Sequence, residues 1–310
     1  MKKILITGGA GYIGSMLTTE LISRGYFVTV IDKFIYEPET LNHLFSSKNF
    51  NLIRKDIFKV KNLKLLLKKH EYVIPLAAIV GAPLCDKNKN LAKKTNYIFI
   101  KNLISKLSKK NKIIYPTTNS GYGVGQKRKF CDESSPLNPV SLYGVTKNLA
   151  EKEVMRHTNW VSFRLATVFG YSFRLRSDLM VNSFVLKSLY KKKITIFEPY
   201  FRRNFIHIKD VVSAFIFAIE NFDKIKNNIY NLGLSSANIT KLQLAKKIKK
   251  RIKKLNININ NYKKDPDQRD YFVSNKKIEK KGFKAKISLD EGINELIKVF
   301  SISKKSSKNF

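Results

Sequence analysis

The segment Thr7-Gly8-Gly9-Ala10-Gly11-Tyr12-Ile13-Gly14 constrains the fold of this chain more than any other. It directly follows a short apolar run, Ile4-Leu5-Ile6, and it opens a stretch, residues 12–24, that reads as a helix stopped by Gly25. Three of its glycines each have a physical reason to be there. Gly8 permits a tight turn, Gly11 lets the backbone approach a pyrophosphate, and Gly14 lets helix and strand pack closely. The helix N-terminus then offers unpaired N–H groups and its positive dipole end to phosphate oxygens. Strand, glycine turn and helix in this order make a dinucleotide-binding signature.

The rest of the first half keeps the same rhythm. Val28-Thr29-Val30-Ile31 reads as a second strand, with further strands at 51–55, 72–77, 112–117 and 161–166 and helices at 60–69, 91–110 and 142–157. Strand–helix alternation at this spacing predicts an α/β fold with a doubly wound parallel sheet. After residue 170 the pattern loosens into a helix at 179–193, a strand at 194–198, a helix at 210–221 and a final helix at 289–300. Residues 1–170 therefore read as a dinucleotide-binding domain and 171–310 as a smaller C-terminal α/β domain for substrate, with 205–221 returning to the sheet. The second strand ends at Asp32, 24 residues after Gly8. A carboxylate there accepts both hydroxyls of an adenosine ribose and repels a 2′-phosphate, so NAD is favoured over NADP; Lys33 is the one residue pointing the other way. Asp56 follows the third strand, where a side chain reaches adenine.

Charge raises another possibility and then weakens it. The 310 residues carry 60 Lys+Arg against 23 Asp+Glu, a net +37, which makes nucleic acid the first suspicion. The densest run, Lys246–Lys254, is interleaved with Leu242, Ala245, Ile248, Ile252 and Leu255 at helical spacing. That is an amphipathic helix with lysines in solvent. No nucleic-acid partner is expected, although the charge suits an anionic substrate such as a nucleotide diphosphate. With 43% hydrophobic residues the chain can build a core. Two cysteines without CxxC and four histidines without ligand spacing predict no disulfide and no metal. The lack of a bilayer-length apolar stretch or export segment predicts a cytoplasmic protein. Lys304–Phe310 reads as a frayed tail.

Tyr143-Gly144-Val145-Thr146-Lys147 places a phenol and an ammonium at i and i+4, on one helix face. The opposite charge favours phenolate, and a phenolate can take a proton from a sugar or alcohol hydroxyl while carbon gives hydride to NAD.

Here the chain resembles the extended short-chain dehydrogenase/reductases, the NAD-dependent sugar epimerase/dehydratase group. The resemblance rests on TGGAGYIG, Asp32, Asp56-Ile57, Leu76-Ala77-Ala78, Asn96, Tyr122-Gly123, the YxxxK helix and Arg203-Asn204-Phe205-Ile206-His207. It implies a Rossmann-type fold, NAD as cofactor and a nucleotide-sugar substrate. By position it implies Tyr143 as general base, Lys147 as its orienting partner on the nicotinamide ribose, and Thr118 as the hydroxyl holding the substrate oxygen. The cofactor would also touch Gly8, Gly11, Tyr12, Ile13, Gly14, Asp32, Asp56, Ile57, Leu76, Ala77, Ala78 and Asn96. Asn119, Asn182, Arg203 and Arg269 would meet substrate, with Arg174 and Arg176 nearby. Relatives that pair their 91–110 and 142–157 helices imply a homodimer.

Departures from the pattern narrow the chemistry. Sugar 4,6-dehydratases of the group carry a carboxylate at one or both positions after the Thr; here these are Asn119 and Ser120, which cannot act as acid or base at neutral pH. Pro75 replaces a frequent His, and Thr167 an Asn common in epimerases. Residues 75–85, 117–125, 164–170 and 265–271 look closest to bacterial GDP-D-glycero-D-manno-heptose dehydrogenases, which oxidise the heptose at C4. The expected activity is therefore C4 oxidation, with 4-epimerisation as the alternative and a non-catalytic RNA-binding module as the remote one. Cys85 and His207 read as interior residues.

Overall fold

The computed structural model describes residues 1–125, 129–260, 262 and 269–302. Among them, the main sheet has seven strands, in spatial order Phe50–Arg54, Phe27–Asp32, Lys3–Thr7, Tyr72–Pro75, Lys112–Thr118, Trp160–Leu165 and Asn228–Leu232. Every neighbouring pair is parallel. The sequence explains why both faces are covered. Ile4, Ile6, Val28, Val30 and Ile74 join one core, while Leu5, Ile31, Val73 and Ile113 join the other. An unbroken apolar run in a strand buries side chains on both faces at once.

Chain order reverses between the strands Lys3–Thr7 and Tyr72–Pro75, so a crevice opens beyond Thr7 and Pro75. Doubly wound sheets take their ligands at this point. The strand expected at 72–77 stops at Pro75, which has no N–H to continue the ladder. Leu76 still donates to the Thr7 carbonyl at 2.8 Å, and the chain then passes over the glycine turn.

Other expectations shift for local reasons. The helix read at 91–110 is three pieces: Lys89–Lys93, a π turn at Lys94–Ile98, and Phe99–Ile104. The π turn accommodates Asn96, which is buried and bonds both the N–H and the carbonyl of Ile79, at 2.8 and 2.9 Å. The helix read at 60–69 is only Leu63–Lys68, entered through Asn62 in the left-handed region. Leu142–Val154 is capped by Ser141, whose hydroxyl accepts from the Gly144 N–H at 3.2 Å.

The last strand, Asn228–Leu232, lies in the half assigned to the second domain, and its two asparagines, Asn228 and Asn231, hid it. The helix Ile208–Glu220 joins the same core through Val211 and Phe215. A small sheet places Arg202–His207 between Thr167–Phe169 and Asn238–Thr240. The basic helix Lys241–Arg251 buries Leu244, Ala245 and Ile248, as its spacing requires. Lys304–Phe310 and Asp265–Gln268 lie outside the described residues. No helix among the described residues is long and apolar enough to cross a membrane.

A buried ion pair locks the helix Leu142–Val154 to the sheet. Arg164 meets Glu151 at 2.8 Å with both side chains almost shut off from solvent, at 5% and 3% exposure. Glu151 also accepts from Ser162, and Arg164 donates on to Tyr122, whose hydroxyl donates to Asn231. Removing one partner strands the other charge. Arg164→Leu is therefore expected to lose roughly 3–5 kcal/mol in urea unfolding, whereas Arg164→Met with Glu151→Leu recovers most of it.

Candidate active site

The glycine turn is pressed against the chain that leaves Pro75. Gly8 has φ +77°, and a Cβ there would lie 2.6 Å from the Ala77 nitrogen. Leu76 and Ala77 thus form the other wall of the turn. Gly11 is the N-cap of the Tyr12–Ser23 helix and supplies no side-chain cap, and the first turn holds no acidic residue. Its N–H groups are left for an anion. Tyr12 spends its hydroxyl on the Gly170 carbonyl at 2.9 Å, so its main chain is the part that can meet a phosphate. Ile13 and Gly14 continue that turn.

Asp32 is fixed by two backbone donors, Ala10 N–H at 2.9 Å and Phe34 N–H at 2.8 Å. Its remaining lone pairs can accept from two ribose hydroxyls. Asp56 caps the short turn Ile57–Lys59 and pairs with Lys33 at 3.4 Å. Burial raises its pKa, but the Phe58 N–H and Lys33 outweigh that and hold it below the usual range. Lys33 is thereby committed to Asp56. A cradle that only glycine fits, an uncapped helix start and a fixed carboxylate beyond it together fit NAD.

Tyr143 and Lys147 stand one turn apart on the helix Leu142–Val154. Thr118 ends the strand beside them. Its Oγ1 lies 2.8 Å from Ser120 Oγ and accepts from the Ser120 N–H at 3.1 Å. Arg269 donates to Ser120 Oγ from the other side. Asn96 donates to Thr146 Oγ1 at 3.3 Å, tying the π turn to the same helix.

The electrostatics differ from the simple expectation. Burial, with the Cys85 thiol beside it, pushes the Tyr143 phenol up to about 12; Arg176, Arg269 and a hydrogen bond from Thr118 pull it back. Burial pushes Lys147 down to about 7 against the attraction of Glu151. Lys147 Nζ sits 4.1 Å over the Tyr115 ring rather than against the phenol of Tyr143. Desolvation therefore outweighs the Tyr–Lys attraction in the protein alone.

The structure separates the substrate-side residues. Arg269 reaches the Thr118–Ser120 segment, and Asn119 is buried there with both amide atoms unpartnered among the described residues. Asn182 and Arg203 have no exposed surface. Asn182 bonds Gly170 through its N–H and carbonyl at 3.1 Å each, and the Arg176 carbonyl at 2.9 Å. It shapes the 170–176 loop instead of facing an opening. Arg203 donates to the carbonyls of Arg202 and Arg269 and so supports Arg269 from below. Burial pushes the Cys85 thiol up to about 11, which leaves it protonated. His207 is held by Glu295 at 2.6 Å.

Three contributors escaped the sequence reading. Glu151 was legible in principle, two turns beyond Tyr143 on the same face. Tyr115 and the Tyr36–Arg174 contact, 3.9 Å from guanidinium to ring, join distant segments and left no local signal. The Tyr115 contact has a direct consequence. In ¹⁵N-lysine NMR, Lys147 is expected to titrate near 7, and lower still in Tyr115→Leu, because the ring face stabilises the cation. A Lys147 titration near that of a solvent lysine would contradict this geometry.

The profile of the NAD dependent epimerase/dehydratase family matches residues 4–233. UDP-glucuronic acid decarboxylase 1 of Arabidopsis thaliana is 30% identical over 313 residues, covering 96% of this chain and 69% of that protein. Human dTDP-D-glucose 4,6-dehydratase is 27% identical over 317 residues, covering 96% and 89%. The solved structure of UDP-glucuronic acid 4-epimerase from Bacillus cereus, in complex with UDP-glucuronic acid and NAD, superposes with a TM-score of 0.85 at 27% identity, over 96% of this chain and 99% of that one. The match spans the glycine turn, the Thr118 segment and the Tyr143 helix; the chain belongs to the NAD-dependent epimerase/dehydratase family, as a nucleotide-sugar enzyme of the extended short-chain dehydrogenase/reductase type with NAD as its cofactor.

Proposed function

We propose that this enzyme oxidises C4 of a nucleotide-bound sugar and releases the keto sugar, with a GDP-heptose as the substrate placed first. The observation that carries this reading is the content of the Thr118–Ser120 segment. Two relatives' reactions, dehydration and decarboxylation, go beyond hydride transfer. Here Asn119 and Ser120 replace the acid–base carboxylates of dehydratases, and Ser120 is already bonded to Thr118 and Arg269. C4 oxidation needs only the hydroxyl, the phenol and the cofactor.

NAD, when bound, would supply the hydride acceptor. The chain does the rest. Thr118 orients the C4 hydroxyl, and Tyr143 Oη takes its proton as the C4–H leaves as hydride. Lys147, while charged, favours the phenolate, and Arg176 and Arg269 add to that field. Asn119, with its unspent amide, and Arg269 meet the sugar and its diphosphate; residues 171–310 supply the substrate side. Two buried free thiols, Cys85 and Cys131, suit a reducing cytoplasmic setting.

A second reading, 4-epimerisation, is favoured by the likeness to a UDP-glucuronic acid 4-epimerase. The reaction is then the same first half, followed by hydride return to the opposite face. Purified protein with NAD and a panel of GDP- and UDP-sugars separates the two. Net NADH and a product two hydrogens lighter support oxidation; an isomer of unchanged mass without NADH supports epimerisation. Loss of water or carbon dioxide contradicts both. Tyr143→Phe should lower kcat by about 10²–10⁴-fold. Thr118→Val should move the acid limb of the pH–rate profile to higher pH. The Thr118 hydrogen bond lowers the Tyr143 pKa, so without it the phenolate forms only at higher pH.

We also propose a homodimer. Leu91, Ile98, Val145 and Leu149 are exposed apolar residues on the segments 89–104 and 142–154, which the family resemblance implies would pair. Light scattering should give twice 35.8 kDa, and a monomer mass would refute the pairing.

A further inference from the structure

The loop from Gly170 to Asp178 is fastened to the first turn of the Tyr12–Ser23 helix. Tyr12 Oη donates to the Gly170 carbonyl at 2.9 Å, and Ser172 Oγ donates to the Tyr12 carbonyl at 2.6 Å. Ser172 also lies 3.1 Å from Ser15 Oγ, and the Phe173 ring meets His43 at 4.5 Å. The loop is thus held beside the helix start that offers its N–H groups to an anion. Arg174 is the next residue, and its guanidinium lies 3.9 Å over the ring of Tyr36, four residues beyond Asp32.

Arg174 is costly where it stands. Its Nε is buried with no hydrogen-bond partner among the described residues. Among the described residues no carboxylate lies within ion-pair distance of it, while Arg176 is already paired with Asp178. Burial, then the like charge of Arg176, disfavours its cation and outweighs the attraction of Tyr36, Asp178 and Glu37. A guanidinium stays charged in proteins, so these costs call for an anion. Stacking on Tyr36 occupies one face of the guanidinium plane and leaves the in-plane N–H fork to bond phosphate oxygens.

We propose that Arg174 is a diphosphate-binding residue, which grips the pyrophosphate of NAD together with the glycine turn. A nucleotide sugar carries the same group. The cofactor is the better fit because Tyr36 belongs to the loop after the ribose-binding strand and the 170–174 segment is anchored to the helix that starts at Gly11. Arg174 and Tyr36 then form a strap from the 170–178 loop to the first half of the chain. The assignment rests on the use of NAD and is independent of which sugar is oxidised.

Calorimetric titration of the full chain tests it without turnover, using ADP-ribose, adenosine, GDP and UDP as probes. In Arg174→Gln, ADP-ribose should bind about tenfold or more weakly, with adenosine, GDP and UDP unchanged; Arg174→Lys, which keeps the charge but loses the fork, should fall between. Equal ADP-ribose affinity in wild type and variant would overturn the proposal. So would an equal loss for adenosine, which marks a packing effect, or a loss confined to GDP and UDP, which moves the residue to the substrate. Should Arg174→Gln fail to fold, Tyr36→Leu decides: Tyr36 is 56% exposed, so its loss leaves the core intact. ADP-ribose should weaken several-fold there relative to adenosine, and an unchanged ratio overturns the strap.

Discussion

The close approach of two backbones at the sheet's reversal point governs the rest of the molecule. Gly8 and the Leu76–Ala77 segment touch because no side chain stands between them. That contact lies at the carboxyl ends of the strands Lys3–Thr7 and Tyr72–Pro75. It leaves the Tyr12–Ser23 helix start open between them, and it sets the crevice through which every later functional residue must act. Asp32 marks one end of this line and Thr118 the other. The glycine turn, the carboxylate and the placement of the Tyr143 helix therefore follow from one packing arrangement rather than standing as separate motifs.

Around the reacting centre the dominant force is desolvation. The site takes a phenol and an ammonium out of water, lifting one pKa and depressing the other, so neither is tuned for neutral pH by its partner alone. Compensation comes from groups placed further out. Arg176 and Arg269 lower the phenol, Glu151 and the Tyr115 ring support the ammonium, and the Glu151–Arg164 pair fixes that carboxylate in the interior. A positively charged ligand bound near Tyr143 would pull its phenol in the same direction as the arginines. The Thr118 oxygen accepts from the Ser120 N–H and lies within hydrogen-bond distance of the Ser120 hydroxyl.

Much of this was legible in the sequence because the signals are local. The glycine turn sits within eight residues, the Tyr143–Lys147 pair within one helical turn, and the parallel strands are unbroken apolar runs. What escaped depends on tertiary contact or on a broken local rule. Asn228–Leu232 forms the last strand despite two asparagines, because Asn231 finds partners in Tyr122 and Ser274. The π turn at Lys94–Ile98 exists for the bonds of Asn96, which no periodicity announces. Asn182 and Arg203, read by resemblance as substrate residues, are enclosed and act on the loops that carry Arg176 and Arg269.

The central claim is that C4 of the sugar gives up a hydride and the chain adds no elimination chemistry to that step. It is tested most directly by turning over a nucleotide sugar deuterated at C4 and locating the label by mass spectrometry. The account predicts a slowed turnover and deuterium on the reduced nicotinamide, or back on C4 of an inverted sugar. Deuterium moved to C6, or an unlabelled cofactor with no isotope effect, would contradict it.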